Sequence, residues 1–206
     1  SSASSGTLYA QILSGAPFDV FLSADCARPS ELVDLGRTVS GTRFTYAVGK
    51  LALWTPGHRH PDAAWLRFPK GRLALANPEF APYGRAAADT LGALGVMNDW
   101  QGHVVLGNNV SQAMQFAVSG AVSGAFVAKS QLLAHDVPQE FWWEIPERFY
   151  ADIRQQAVVL RSATDVAAAR TLVDFLKGPL ARERIEAAGY ETPSYDALDE
   201  VRCGGR

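Results

Sequence analysis

Residues 103–128 read HVVLGNNVSQAMQFAVSGAVSGAFVA. The stretch opens on an apolar strand, HVVLGN, turns at Asn108-Asn109 into the helix-period segment NVSQAMQFAVSG, and returns to a second apolar strand, GAFVA. Strand, helix and strand in that order imply parallel pairing, because two parallel strands need a crossover connection between them.

The alternation extends both ways. Upstream, strand RLALAN at residues 72–77 leads through NPEFAPYG into helix RAAADTLGALG. Downstream, the aromatic stretch EFWWEIPERFY precedes strand QQAVVLR, a helix from Asp165 to Lys177 closed by Gly178-Pro179, and a last helix ending near Gly189. The front of the chain reads as a helix from Thr7 to Ser14, a strand in PFDVFLSAD, and a helix starting after Pro29 that carries Leu32 and Leu35. A strand over Phe44 to Thr55 and a polar loop, TPGHRHPDAAW, follow. No internal repeat is visible. The expected class is α/β with a largely parallel sheet.

The first strand and its helices are too few to bury a core alone, so the C-terminal helices are expected to return to them. This gives a discontinuous lobe of residues 1–49 plus 158–193, a second lobe of residues 50–157, and a tail at 194–206 expected to be disordered. Two lobes joined by two chain crossings make a hinged clamp.

Composition narrows the function. With 48% hydrophobic and 19% charged residues the chain is an ordinary folded protein, neither a disordered segment nor a coiled coil. A formal net charge of −2 supplies no basic field for nucleic acid or anionic lipid, so any bound anion must be held locally. No apolar run reaches the length that crosses a bilayer. Cys26 and Cys203 lack CxxC spacing and are read as unpaired thiols. His58 and His60 in GHRHPD have no third ligand at recognisable spacing, and His103 and His135 are isolated, so no metal site is expected. GxSxG, Walker A and GxGxxG are absent. The cluster of Phe141, Trp142, Trp143, Phe149 and Tyr150 is read as a packed face.

What remains are three helix starts. The chain opens SSASSGTLYAQ, placing Ser4, Ser5 and Gly6 at the head of its first helix. Pro82-Tyr83-Gly84 and Asn108-Asn109-Val110 each head a helix after a strand end. A helix N-terminus combines unpaired N–H donors with partial positive charge, so it attracts anions without Lys or Arg. Each start read singly is also an ordinary cap.

The segments SSGTLYAQILSGAPFDVFLSAD, GTRFTYAVGKLALW, ANPEFAPYGRAAADTLGALG, NNVSQAMQFAVSGAVSGAFVA and FLKGPLARERIEAAGY together resemble the periplasmic molybdate-binding proteins of ABC transporters. The resemblance runs from Ser1 to Pro193. It implies a two-lobed, type II periplasmic-binding-protein fold, here N-terminally truncated because the chain begins after the family's opening strand and helix. It further implies a monomer that captures molybdate or tungstate without a cofactor or counter-cation and delivers it to the permease of an ABC transporter. By the same resemblance Ser5 donates its hydroxyl and amide, and Tyr83 and Val110 donate their amides, with Ser4, Gly6 and Asn109 as secondary candidates. Where some relatives carry a tyrosine hydroxyl, this chain has Val127.

A cavity lined only by donors suits a fully deprotonated dianion, whereas hydrogen phosphate would turn its own proton toward another donor. Two alternatives stand beside this reading. One is an enzyme acting on a phosphorylated or sulfated small molecule, with the helix starts as its oxyanion cradle. The other is a truncated homologue that keeps the fold and does not bind.

Overall fold

The computed structural model describes residues 1–193. The expected disordered tail and Cys203 lie outside the described residues. In chain order the elements are α1 (Ser5–Leu13), β1 (Val20–Ser23), α2 (Ala27–Asp34), β2 (Phe44–Gly49), β3 (Leu51–Trp54), β4 (Leu73–Ala76), α3 (Pro82–Ala93), β5 (Val104–Gly107), α4 (Val110–Val118), β6 (Gly124–Ala128), α5 (Lys129–Ala134), β7 (Trp142–Glu144), β8 (Ile153–Val159), α6 (Val166–Lys177) and α7 (Pro179–Ala187). Short 3-10 turns at Trp65–Arg67, Gln139–Phe141 and Glu147–Phe149 join them.

Local chemistry sets most of these boundaries. α3 and α7 each begin with a proline in the first turn, where its missing N–H costs nothing. α6 is capped by Asp165, whose Oδ1 accepts from the Ala168 amide at 2.9 Å. The strand expected over Phe44 to Thr55 is instead two strands, β2 and β3, broken at Lys50. α2 begins ahead of Pro29 rather than after it, which the first turn of a helix tolerates. Leu32 is fully buried there, whereas Leu35 stands 57% exposed past the helix end.

The chain divides into two compact units. Among the described residues the first takes Ser1–Ser4 and Lys50–Ile153, and the second takes Ser5–Gly49 and residues 154–193.

In the first unit a five-stranded sheet has the order β5-β4-β6-β3-β7. β4 pairs in parallel with β5 and with β6, while β3 pairs antiparallel with both β6 and β7. Among the described strands of this sheet only β3 runs against the rest. The largely parallel expectation therefore needs correcting at one strand, and the reason is its connection: β3 follows β2 directly, whereas β5, β6 and β7 each follow a helix. β4 and β6 are buried along their whole length, as strands covered on both faces must be. On one face α4 packs Ala113, Met114 and Ala117 against Ala52, Trp54, Ala74, Ala125 and Val127. By the two-residue alternation Leu73 and Leu75 point the other way, and α3, which packs on β3, β4 and β6, supplies cover. Trp142 joins the core, and Tyr150 is buried with its hydroxyl accepting from the Leu51 amide at 3.2 Å. Trp143 and Phe149 are half-buried.

The second unit is built on a three-stranded sheet of order β1-β8-β2, with β1 and β8 antiparallel. One face packs Phe21, Val158 and Leu160 against Ile12 of α1 and Leu32 of α2. The other packs Phe44, Ala157 and Val159 against Ala169 and Val173 of α6. At the end of the described chain Glu191 pairs with Val48, extending the sheet beyond β2.

Candidate functional site: three helix starts

In the second unit, α1 starts over the end of β1. Ser5 is its first residue and is 5% exposed. The Ser5 Oγ accepts a hydrogen bond from the Ala24 amide, one residue past β1, at 2.9 Å. This bond fixes the head of the helix to the strand end. A hydroxyl that accepts through a lone pair still has its proton to give, so the bond leaves Ser5 able to donate. Ser4 is buried beside it and Gly6 is half-buried. The nearby carboxylate of Asp25 is taken up locally: it accepts from the Arg28 amide at 3.0 Å and forms an ion pair with the Arg28 guanidinium.

In the first unit, two helix starts share one sheet end. Ala76 closes β4, Gly107 closes β5, and the two are register partners. The Asn77 amide donates to the Gly107 carbonyl at 2.7 Å and carries the pairing one residue further. α3 and α4 therefore leave neighbouring parallel strands at the same edge, the place where open α/β sheets bind ligands.

At α3 the N-cap is Ala81, which offers no side-chain cap, and Pro82 has no N–H. Tyr83 and Gly84 thus carry the first-turn amides of α3. The start lies hard against β4: a Cβ on Gly84 would sit 2.2 Å from the Ala76 carbonyl oxygen. Only glycine permits that approach.

At α4 the Asn109 side chain accepts from the Gln112 amide at 2.9 Å, while Gln112 Oε1 accepts from the Asn108 amide at 2.6 Å. The Asn109 side-chain carbonyl is thereby committed to capping Gln112, and Val110 and Ser111 carry the remaining first-turn amides of this start. A Cβ on Gly107 would lie 2.9 Å from the Ala113 amide nitrogen, so this glycine too lets a helix fold back closely over its strand.

The structure thus brings Tyr83, Asn109 and Val110 together at one edge of the first unit and places Ser5 and Gly6 at the head of α1 in the second. Val127 is fully buried in β6 and has no polar atom on its side chain. The titrations of Tyr9 and Tyr46 are pushed upward by burial, with Glu31 adding to the effect at Tyr9 and Tyr190 at Tyr46. Both stay neutral over the ordinary pH range, so neither adds charge.

Among the described residues no group of three or more His, Cys, Asp or Glu side chains could hold a metal ion. The His103 ring contacts the Gly71 carbonyl at 3.1 Å, and Cys26 is a half-buried thiol at the head of α2. No helix among the described residues is long and apolar enough to cross a membrane.

Comparison with known proteins gives this arrangement its context. The family model described as bacterial extracellular solute-binding protein matches residues 1–191. The chain belongs to that family. Within it, the chain is 43% identical over 190 residues to the molybdate-binding protein ModA of Rhodobacter capsulatus, covering 91% of this chain and 75% of that one. It is 44% identical over 189 residues to ModA of Azotobacter vinelandii, covering 90% and 75%. Among solved structures, the Azotobacter vinelandii periplasmic molybdate-binding protein superposes with a TM-score of 0.89 at 40% identity, covering 94% of this chain and 87% of that one. The fold of this solute-binding protein is accordingly the type II periplasmic-binding-protein fold, a mixed α/β architecture with two sheets.

Sequence reasoning found the helix starts and missed the residues that seat them. Gly84 and Gly107 gave only one signal, a glycine beside a strand end or inside a first turn.

Proposed function

We propose that this protein binds molybdate or tungstate in the periplasm and delivers it, as a monomer, to the permease of an ABC transporter. The observation that carries the reading is the 43% identity over 91% of the chain to a molybdate-binding protein. In this reading the donors are the Ser5 hydroxyl and amide and the amides of Tyr83 and Val110. No cofactor takes part; the oxyanion is cargo.

The chemistry of the starts supports an oxyanion without a bound cation. Desolvating a dianion is costly, and each charge-assisted donor that meets it returns about 1.5 to 3 kcal/mol. Neutral N–H and O–H groups at helix heads supply that without a Lys or Arg in the set. The enzymatic alternative needs a base on Ser5, and the hydrogen-bond partner of its Oγ is a backbone amide.

Calorimetric titration tests the reading. Molybdate and tungstate should bind saturably at one site per chain, and hydrogen phosphate should bind far more weakly, since its proton meets a donor. Absence of saturable heat with either metal oxyanion would refute it.

A further inference from the structure

β8, the middle strand of the second unit's sheet, carries a buried polar group that the donor set above does not use. Gln156 is 3% exposed, and its Oε1 is the one buried side-chain nitrogen or oxygen among the described residues without a hydrogen-bond partner. Native folds seldom leave such an atom unpaired without a use for it. The other end of the carboxamide is engaged: Nε2 donates to Thr45 Oγ1 on β2 at 3.2 Å.

The register places this group. Gln156 stands directly opposite Ser23 of β1, and Ser23 and Thr45 are both fully buried. Ser23, Gln156 and Thr45 therefore form a row of uncharged polar side chains across all three strands. Two residues along, Phe21 and Val158 pack with Ile12 of α1, so alternation puts Ser23 and Gln156 on the α1 face of the sheet. Ser5 Oγ accepts from the Ala24 amide, so α1 begins at the end of β1 where the row lies. The unpartnered end of Gln156 is thus buried on the sheet face that α1 covers, at the strand position opposite Ser23.

We propose that Gln156 is a further donor of the oxyanion site. Thr45 Oγ1 can accept from an amide N–H or donate to an amide carbonyl, so the carboxamide can turn end for end without losing that bond. Turned, its Oε1 takes the Thr45 proton and its Nε2 takes the unpartnered place, presenting the polarity that an acceptor-only dianion requires. This inference rests on the reading of the chain as a molybdate or tungstate binder.

The test is titration of the wild-type protein, Gln156→Met and Gln156→Glu with molybdate, with Tm measured for each. Gln156→Met keeps the length of the side chain and removes the donor; its affinity should fall roughly ten- to a hundredfold. Its Tm should change little, because the loss of the unpaired oxygen offsets the loss of the bond to Thr45 Oγ1. Gln156→Glu puts acceptors where the donor stood and should weaken binding further still. Unchanged affinity in both variants, against a wild type that binds, would overturn the inference and leave the function standing. So would a fall in Tm that accounts for the lost affinity, since that marks a structural residue. A wild type that does not bind would overturn the function and this inference with it.

Discussion

Gly84→Ala should destabilise the first unit by about 3 kcal/mol or more and weaken oxyanion binding along with it. The added methyl would lie 2.2 Å from the Ala76 carbonyl oxygen, 2.7 Å from its carbon and 2.9 Å from the Asn77 carbonyl carbon. All three are backbone atoms, so no side-chain rotation relieves the clash. Either α3 lifts away from β4 or the end of β4 bends. Ala76 is the register partner of Gly107, so a bend at β4 also reaches the strand that leads into α4. Chemical denaturation should show the lost stability, and titration with molybdate should show weaker binding under conditions where the variant is still folded. Wild-type stability in Gly84→Ala would mean that α3 does not approach β4 as described.

Ser5→Ala should raise the Kd for molybdate by roughly ten- to a hundredfold, equivalent to about 1.5 to 3 kcal/mol for one charge-assisted hydrogen bond. The fold should lose less. Ser5 Oγ is the acceptor for the Ala24 amide, so its removal strands that N–H; Ala24 is half-buried, and water can meet part of the need. A stability loss of about 1 kcal/mol is expected from this bond. Paired measurement of Kd and of the denaturation midpoint separates the two roles. A stability loss with unchanged Kd would make Ser5 a tether of α1 and nothing more.

Much of the architecture was legible because it rests on local chemistry. The Asn108-Asn109 pair between an apolar strand and a helix-period segment marked the start of α4, and Asn109 caps it as that position favours. Pro82 marked the start of α3 and Asp165 that of α6 in the same way. What stayed hidden depends on contacts distant in sequence or on connection. The reversal of β3 was not read, since in FTYAVGKLALWT the only mark of the break is Gly49-Lys50, which a single strand with a bulge would also carry. α5 was missed because six residues, KSQLLA, hold too few turns to show a period; it starts with Gln131 Oε1 accepting from the Ala128 amide at 3.0 Å. The demand for glycine at position 84 comes from a strand end eight residues earlier in sequence, and sequence spacing cannot report that distance.

For the site, the sequence pointed to helix starts as a class of anion donor, and resemblance selected Ser5, Tyr83 and Val110 among them. The coordinates add the physical detail at each: a hydroxyl tied to Ala24 with its proton still to give, a first turn without a side-chain cap, and a cap that occupies Asn109. They also show why Gln156 escaped notice. A glutamine inside a strand reads as an interruption until the register sets it opposite Ser23.

The most direct test of the account is a crystal structure of the protein with tungstate, whose heavy atom locates itself by anomalous scattering. The account predicts one strong tungsten peak per chain, with tungstate oxygens about 3 Å from Ser5 Oγ and from the amide nitrogens of Tyr83 and Val110, and no Lys or Arg side chain among the contacts. A peak held by surface cations, or one that touches Ser5 without the two amides, would contradict it.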